Sequence, residues 1–567
     1  MKLFININSE LKKSRIFILF GFYKYFKGEY VVVKDSSQKE EVIIFSDSHI
    51  SKFTGFFNKK AFKTGVKLIQ GLLKENPNAY LLHLGDITDS GTYEDFVYSK
   101  KLLDDNFSNI DNLYTVPGNH DLRNIGDKLW KDFFGERQFF IDTTENGGNM
   151  IILGMDSSEP DENIGRIGDR GLEAINELHS YSDDLVKVLC FHHHLLPIPN
   201  TGRERSMILD AGDVMQVIWR AGIDVIITAH RHYPNVFSLS NGIRRCLLVN
   251  CGTFSSFKTR GKAGHTFVEL TLADEELNIN VYGIESYSKF QQPVKESVSM
   301  LKGELKPQVG YLVPGDRVLS KICQFSDTHF SPGSHFLAEV YDLGIKMMLR
   351  ENPNLLIHCG DLTNDAYPED FAVAKIKLRE LRGYDIPYLI VPGSRDLQPF
   401  GRELWVQQVG PLDPIYEDSS LRVLGINTGP DPSGHVGRSR LRMIKHEFAT
   451  YGSYKFFFVV MHHSALPIPR ARFKRAVTDA GDVIDFVTGH KVPLVLSGLD
   501  HFATAMQIED TVFVNAGTFS SKKIRSKRMN TFNVISIYES GVIQAEEVEI
   551  HSSTRHLLGL YSVPIDS

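Results

Sequence analysis

The chain has 567 residues, of which 42% are hydrophobic and 23% charged, the composition of an ordinary folded protein. At roughly 150 residues per domain, that length needs two or more cores. A formal net charge of −6 argues against a global field that recruits nucleic acid or an anionic membrane. Five cysteines without a Cys-x-x-Cys argue against a disulfide framework or a thiolate metal site, and point to a reducing, cytoplasmic compartment.

In chain order, residues 16–22 form a short apolar run after Lys12, Lys13 and Arg15. It lacks a small-residue cleavage site and falls far short of the roughly 18 apolar residues of a membrane span. Residues 1–27 are therefore expected to be a leader, with no membrane association. Apolar runs over 42–45, 80–84, 150–153, 186–191 and 225–228 read as buried strands, and 60–74, 93–104 and 213–220 as helices. Alternation of this kind gives α/β layers with helices covering sheets.

The order then repeats. Glu75-Asn-Pro-Asn leading to Leu-Gly-Asp86 recurs as Glu351-Asn-Pro-Asn leading to Cys-Gly-Asp361, and Val116-Pro-Gly-Asn-His-Asp121 as Val391-Pro-Gly-Ser-Arg-Asp396. Asp210-Ala-Gly-Asp-Val214 recurs as Asp479-Ala-Gly-Asp-Val483, and Asn250-Cys-Gly-Thr-Phe as Asn515-Ala-Gly-Thr-Phe. The offset drifts from 280 residues at Asp47/Asp327 to 265 at Asn250/Asn515, as small loop deletions would cause. Two homologous domains follow, 28–298 and 299–567, with the join between 286 and 315 where Pro and Gly interrupt the strand pattern.

Polar clusters end the strands of the first copy: Asp47 and His49, then Asp86, Asn119 with His120, His192 in a histidine triplet, and His230 with His232. Residues two apart on a strand face one side, so Asp47 and His49 can reach one cation. Gly85 lets the chain turn to aim Asp86 inward. Any one cluster alone reads equally well as a surface turn or helix cap; together, each at a strand end, they read as a metal site. Oxygen and imidazole donors without sulfur suit Mn, Fe, Zn or Co.

These motifs resemble the calcineurin-like metallophosphoesterase family, with Ala229 the one departure in the first copy, and His-His-His-Leu-Leu-Pro resembles its class III cyclic-nucleotide phosphodiesterase branch. The resemblance implies two tandem four-layer αββα sandwiches and two divalent metal ions. One ion would take Asp47, His49, Asp86 and His232, the other Asp86, Asn119, His192 and His230. Two such cations roughly 3.5–4 Å apart turn a shared water into hydroxide for in-line attack on a phosphoester. His120 would then serve as acid, with Asp121 orienting its ring or else capping a turn. His193, Arg203 and Arg205 are candidate substrate contacts, although the two arginines suit a solvated loop as well.

In the second copy Asp327, His329, Asp361, His462 and His501 match, but Ser394 stands for Asn119, Arg395 for His120 and Leu499 for His230. The first ligand set (Asp327, His329, Asp361, His501) is complete and able to keep a residual metal, while the second is broken, so this copy is expected to be inactive. Arg395 offers a positive charge where the missing metal would sit. The leading reading is a phosphodiesterase acting on a cyclic nucleotide or similar small phosphoester. A nuclease of the same fold is the alternative, supported by basic loops at Arg470, Arg472, Lys474, Arg475 and 522–528 but lacking any helix-turn-helix, zinc-finger or aromatic nucleic-acid motif. A non-catalytic metal-binding scaffold is a third reading, and the sequence does not determine the oligomeric state.

Overall fold

The strand Glu40–Phe45 sets the layering. Its side chains alternate, so Val42 and Ile44 enter one apolar cluster while Ile43 and Phe45 enter another, and both faces are buried. That is why it reads as a continuous apolar run instead of an alternating one. The structure, a computed structural model, describes residues 39–107, 112–286, 288–289, 294–297, 301–302, 315–451, 455–470, 476–526 and 528–564. The expected leader and the join at 298/299 lie outside these residues, as do Arg472, Lys474 and Arg475.

Each copy carries two sheets facing one another, with helices outside. In the first copy, Glu40–Phe45 pairs parallel to Tyr80–Leu84 and antiparallel to Thr266–Ala273. Met150–Met155, Val186–Phe191 and Val225–Thr228 run parallel in the opposing sheet. Leu82, Leu84, Val188 and Ile227 fill the space between the sheets, while Phe62, Ile69, Phe96 and Trp130 seal the helices Lys59–Glu75, Tyr93–Phe107 and Gly126–Phe134 onto the outer face. The second copy repeats the arrangement around Ile357, Val460 and Leu496 between its sheets and Phe371 and Trp405 outside. The αββα sandwich expected for each copy is the architecture found.

The two copies share one sheet. Antiparallel pairing of Leu239 with Ile508 and Ser240 with Gln507 joins two six-stranded halves into twelve strands, and the helices over that sheet form one continuous apolar core from both copies. The repeated Asp-Ala-Gly-Asp-Val motif sits at this junction with near two-fold reciprocity. Asp213 accepts the Arg470 backbone N–H (3.1 Å), and Asp482 accepts that of Asn200 (3.3 Å). A Cβ on Gly212 would lie 2.3 Å from the Ile468 carbonyl, and one on Gly481 would lie 2.3 Å from that of Ile198, so only glycine permits either approach. Asp210 and Asp479 each accept two backbone N–H groups of a neighbouring turn, Ile167 with Gly168 and Val436 with Gly437.

Among the described residues no helix is long and apolar enough to cross a membrane. All five cysteines are buried free thiols.

Candidate metal centre

Strand ends deliver the polar groups into one cleft. Asp47, His49, Asp86, His230 and His232 all adopt left-handed backbone (φ 52°, 47°, 53°, 72° and 54°), which costs non-glycine residues free energy and clusters at functional sites. Gly85, at φ 80°, makes the turn that aims Asp86 inward; a Cβ there would press within 2.5 Å of the Gly118 nitrogen. The Asp47 and His49 amides bond the carbonyls of Gly85 and Asp86 (3.0 and 2.9 Å), tying the two loops together.

Asp47, His49, Asp86 and His232 converge as one group, and Asp86, His192 and His230 as a second. Asp86 joins them, its Oδ2 lying 3.5 Å from both His49 Nε2 and His192 Nε2. His230 Nδ1 sits 3.0 Å from Asn119 Oδ1 and 3.2 Å from His192 Nε2, and His49 Nε2 lies 3.1 Å from His232 Nε2. All seven predicted ligands are thus brought together.

The far nitrogens of three rings fix what faces the cleft. Nδ1 of His49 meets Asp89 Oδ1 (3.0 Å), that of His192 donates to the Leu84 carbonyl (2.8 Å), and that of His232 donates to the Lys258 carbonyl (2.7 Å). With Nδ1 turned outward in each, Nε2 is the nitrogen aimed at the other imidazoles and carboxylate oxygens. Such a donor set fits cations, and the outer partners hold the imidazoles in the ligating tautomer. Burial disfavours the charged form of His192, yet the Asp86 and Asp47 carboxylates outweigh it and raise its pKa to about 9. Asp86 resists burial and stays well below the usual carboxylate range because of His192 and His120. The cleft draws in positive charge.

Of the roles open to Asp121 and His193, the contacts favour the structural ones, and the second copy's expected four-ligand set is regrouped. Asp121 does not orient His120. Its carboxylate accepts Thr88 N–H (2.7 Å), Thr88 Oγ1–H (2.9 Å), Gly118 N–H (2.9 Å) and Ile87 N–H (3.2 Å), stapling the two ligand loops together; burial and neighbouring Asp86 push its pKa to about 7. His193 is fully buried, with Nδ1 on Ser157 Oγ (3.0 Å) and its ring 4.7 Å from that of His230, so it backs a ligand instead of meeting substrate. In the second copy, Asp327, His329 and His501 converge without Asp361, which groups with Asp327 and His462; the predicted four-ligand set is split.

Arg203 and Arg205 are exposed on the loop that also carries Glu204. Sequence reasoning missed Glu204, whose carboxylate meets His194 Nε2 (2.8 Å), and Asp89 and Arg123 around His120. His120 Nδ1 lies 2.6 Å from the Asp89 carbonyl and 2.9 Å from Arg123 Nη1. Asp89 was visible as the second acid of Gly-Asp-x-x-Asp, paired with Asn364 in the other copy.

Paired sheets with a histidine, carboxylate and amide cluster at their strand ends define a dinuclear metallohydrolase class. A family model described as calcineurin-like phosphoesterase matches residues 41–234 and 320–501. The chain belongs to that family of phosphoric ester hydrolases, as a tandem duplication. It is similar to a glycerophosphodiester phosphodiesterase, GpdQ, from Enterobacter lignolyticus (strain SCF1), at 25% identity over 181 residues, covering 28% of this chain and 62% of that protein. Among solved structures it is similar to a dimetal phosphatase from Danio rerio (10% identity, TM-score 0.36, 43% of this chain and 99% of that one). Purple acid phosphatase PPD1 from yellow lupin is another (16% identity, TM-score 0.36, 46% and 54%).

Proposed function

We propose that the first copy hydrolyses a small phosphodiester, such as a cyclic nucleotide, at a dinuclear centre. Asp47, His49, Asp86 and His232 hold one ion, and Asp86, Asn119, His192 and His230 the other. The observation that carries this reading is Asp86 Oδ2, equidistant at 3.5 Å from a ligand nitrogen of each set. When bound, two divalent cations (Mn, Fe, Zn or Co) polarise the phosphoryl group and acidify water. The 25% identity to a phosphodiesterase supports the diester over the monoester.

His120 stabilises the charge that develops on the leaving oxygen. Burial lowers its pKa to about 4, so the ring is neutral at pH 7 and its tautomer decides its role. Arg123 Nη1 can only donate, and when Nδ1 accepts that bond the proton sits on Nε2, available to the leaving oxygen. When Nδ1 instead donates to the Asp89 carbonyl, Nε2 becomes an acceptor. Giving the Nε2 proton up outright would leave an imidazolate, so the neutral ring's role is to donate a hydrogen bond from Nε2 to the leaving oxygen, while water supplies the proton that completes the released alcohol. We read the second copy as non-catalytic, because Ser394 and Leu499 leave its second ligand set broken, and place the chain in a reducing, cytoplasmic setting on its buried thiols.

Hydrolysis of an aryl phosphodiester with added Mn²⁺ tests the reading. Asp86→Asn is expected to cost about 10³-fold or more in kcat/KM, since it uncouples both ligand sets. A scaffold would show no turnover in the wild type, and full activity in Asp86→Asn would sink the dinuclear centre.

A further inference from the structure

The second copy keeps the shape of a phosphate cleft while changing its chemistry. Arg395 occupies the place of His120 atom for atom in its anchoring. Its backbone N–H donates to Asp361 Oδ1 (2.9 Å), as that of His120 does to Asp86 Oδ1 (2.8 Å). Its Nη1 reaches the Asn364 carbonyl (3.0 Å), as His120 Nδ1 reaches that of Asp89. Nη1 also meets Asp365 (3.2 Å), and Nε faces Asp361 Oδ2 at 3.9 Å. Ser394 and Leu499 stand beside it, where Asn119 and His230 would have completed a second ligand set.

A cavity of about 950 Å³ opens here, lined by Arg395, Arg470, Lys522, Lys523 and Arg525, a volume suited to a small organic ligand. Below them Asp327, His329 and His501 converge, and neither Asp327 Oδ2 nor His329 Nδ1 has a hydrogen-bond partner among the described residues although both side chains are buried. His501 stays oriented through its Nδ1–H on the Lys523 carbonyl, so the cation donors and the basic loop move as one unit.

We propose that the second copy is a non-hydrolytic binding site for a phosphate monoester or inorganic phosphate. One divalent cation on Asp327, His329 and His501 and the guanidinium of Arg395 hold the phosphoryl group together. Where the first copy places a second cation and a hydrogen-bond donor, this one places the fixed positive charge of a guanidinium anchored through Nη1 to Asn364 and Asp365. Oxyanion binding is retained, while the groups that would cleave an ester are absent.

Calorimetric titration of inorganic phosphate into the Mn²⁺-loaded full chain tests this. The wild type should take up two phosphates per chain, Arg395→Ala one, and Asp86→Asn/His192→Ala one. In the latter background, adding Arg395→Ala should weaken the remaining site by about tenfold or more, the worth of a charged hydrogen bond, and Lys523→Ala by a few-fold. Arg395 is partly exposed, so its removal does not threaten folding even if the first-centre variant proves unstable. Equal stoichiometry and affinity in wild type and Arg395→Ala, or no phosphate bound once the first centre is disabled, would overturn the proposal.

Discussion

The two copies share a cradle and differ in what the cradle holds. Asp47 and Asp327, His49 and His329, Asp86 and Asp361, and His232 and His501 all keep left-handed backbone within a few degrees of each other. So does Leu499 (φ 61°), a residue with no ligand to offer at the position of His230 (φ 72°). The bonds around it are kept as well: Gly498 N–H to the His462 carbonyl (2.9 Å) matches Ala229 N–H to that of His192 (2.8 Å). The strained loops are therefore a product of the strand ends and their backbone bonds, not of metal coordination. Side chains can leave the site without the loops relaxing.

Four tests by substitution sharpen or break that comparison. The largest effect is expected at His120→Ala, about 10²–10⁴-fold in kcat toward an aryl phosphodiester; a loss under threefold would remove it from the chemistry. Next, Asp121→Ala and Asp396→Ala should destabilise by matched amounts, about 2–3 kcal/mol each, read by urea unfolding. Asp396 accepts the same four donors, Leu362 N–H, Thr363 N–H, Thr363 Oγ1–H and Gly393 N–H, in a copy that has no imidazole to orient. A cost confined to Asp121 would restore a catalytic role there. Third, Ser394→Asn with Leu499→His should return a second ligand set to the second copy, raising metal affinity there by about 10-fold; unchanged metal content would mean the cradle is not preformed.

The smallest effect concerns Asp156, whose counterpart is Asn427; each accepts a backbone N–H two residues on, from Ser158 and Gly429 (2.8 Å both). Burial, opposed by Ser158 and Arg137, raises the Asp156 pKa to about 6. The folded state therefore binds the proton more tightly than the unfolded chain, and stability falls as pH rises from about 4 to 6. Asp156→Asn should stabilise the fold above pH 6 by about 1 kcal/mol, read as a raised thermal midpoint, with the gain vanishing below pH 4. A pH-independent difference would refute the assignment.

Much of this was legible in the sequence. The strand Val186–Phe191 fell where its apolar run predicted, and the helix Lys59–Glu75 within a residue of its expected bounds, because buried strands and amphipathic helices leave different periods. The seven candidate ligands of the first copy, which the fold brings together, were readable because each closes such a run. Groups acting through other groups were harder to read: Asp89 left a trace in Gly-Asp-x-x-Asp, but Arg123 is an ordinary loop residue until the fold brings it to the His120 ring. The splitting of the second copy's ligand set was equally hidden, since residue identity does not report how far Asp361 sits from His329. Nor could an edge strand such as Asn235–Ser240 announce its partner, because an open ladder accepts any complementary edge.

That edge pairing has a consequence for how the chain comes apart. Backbone rungs at Leu239–Ile508 and Ser240–Gln507, with Asp482 gripping the Asn200 amide and Thr478 accepting that of Glu204 (2.8 Å), make the chain a dimer of itself that dilution cannot separate. Each half is then an abutment for the other. Melting it first would slacken the 200–204 loop behind His194, so heat inactivation should track the weaker half, wherever the chemistry resides.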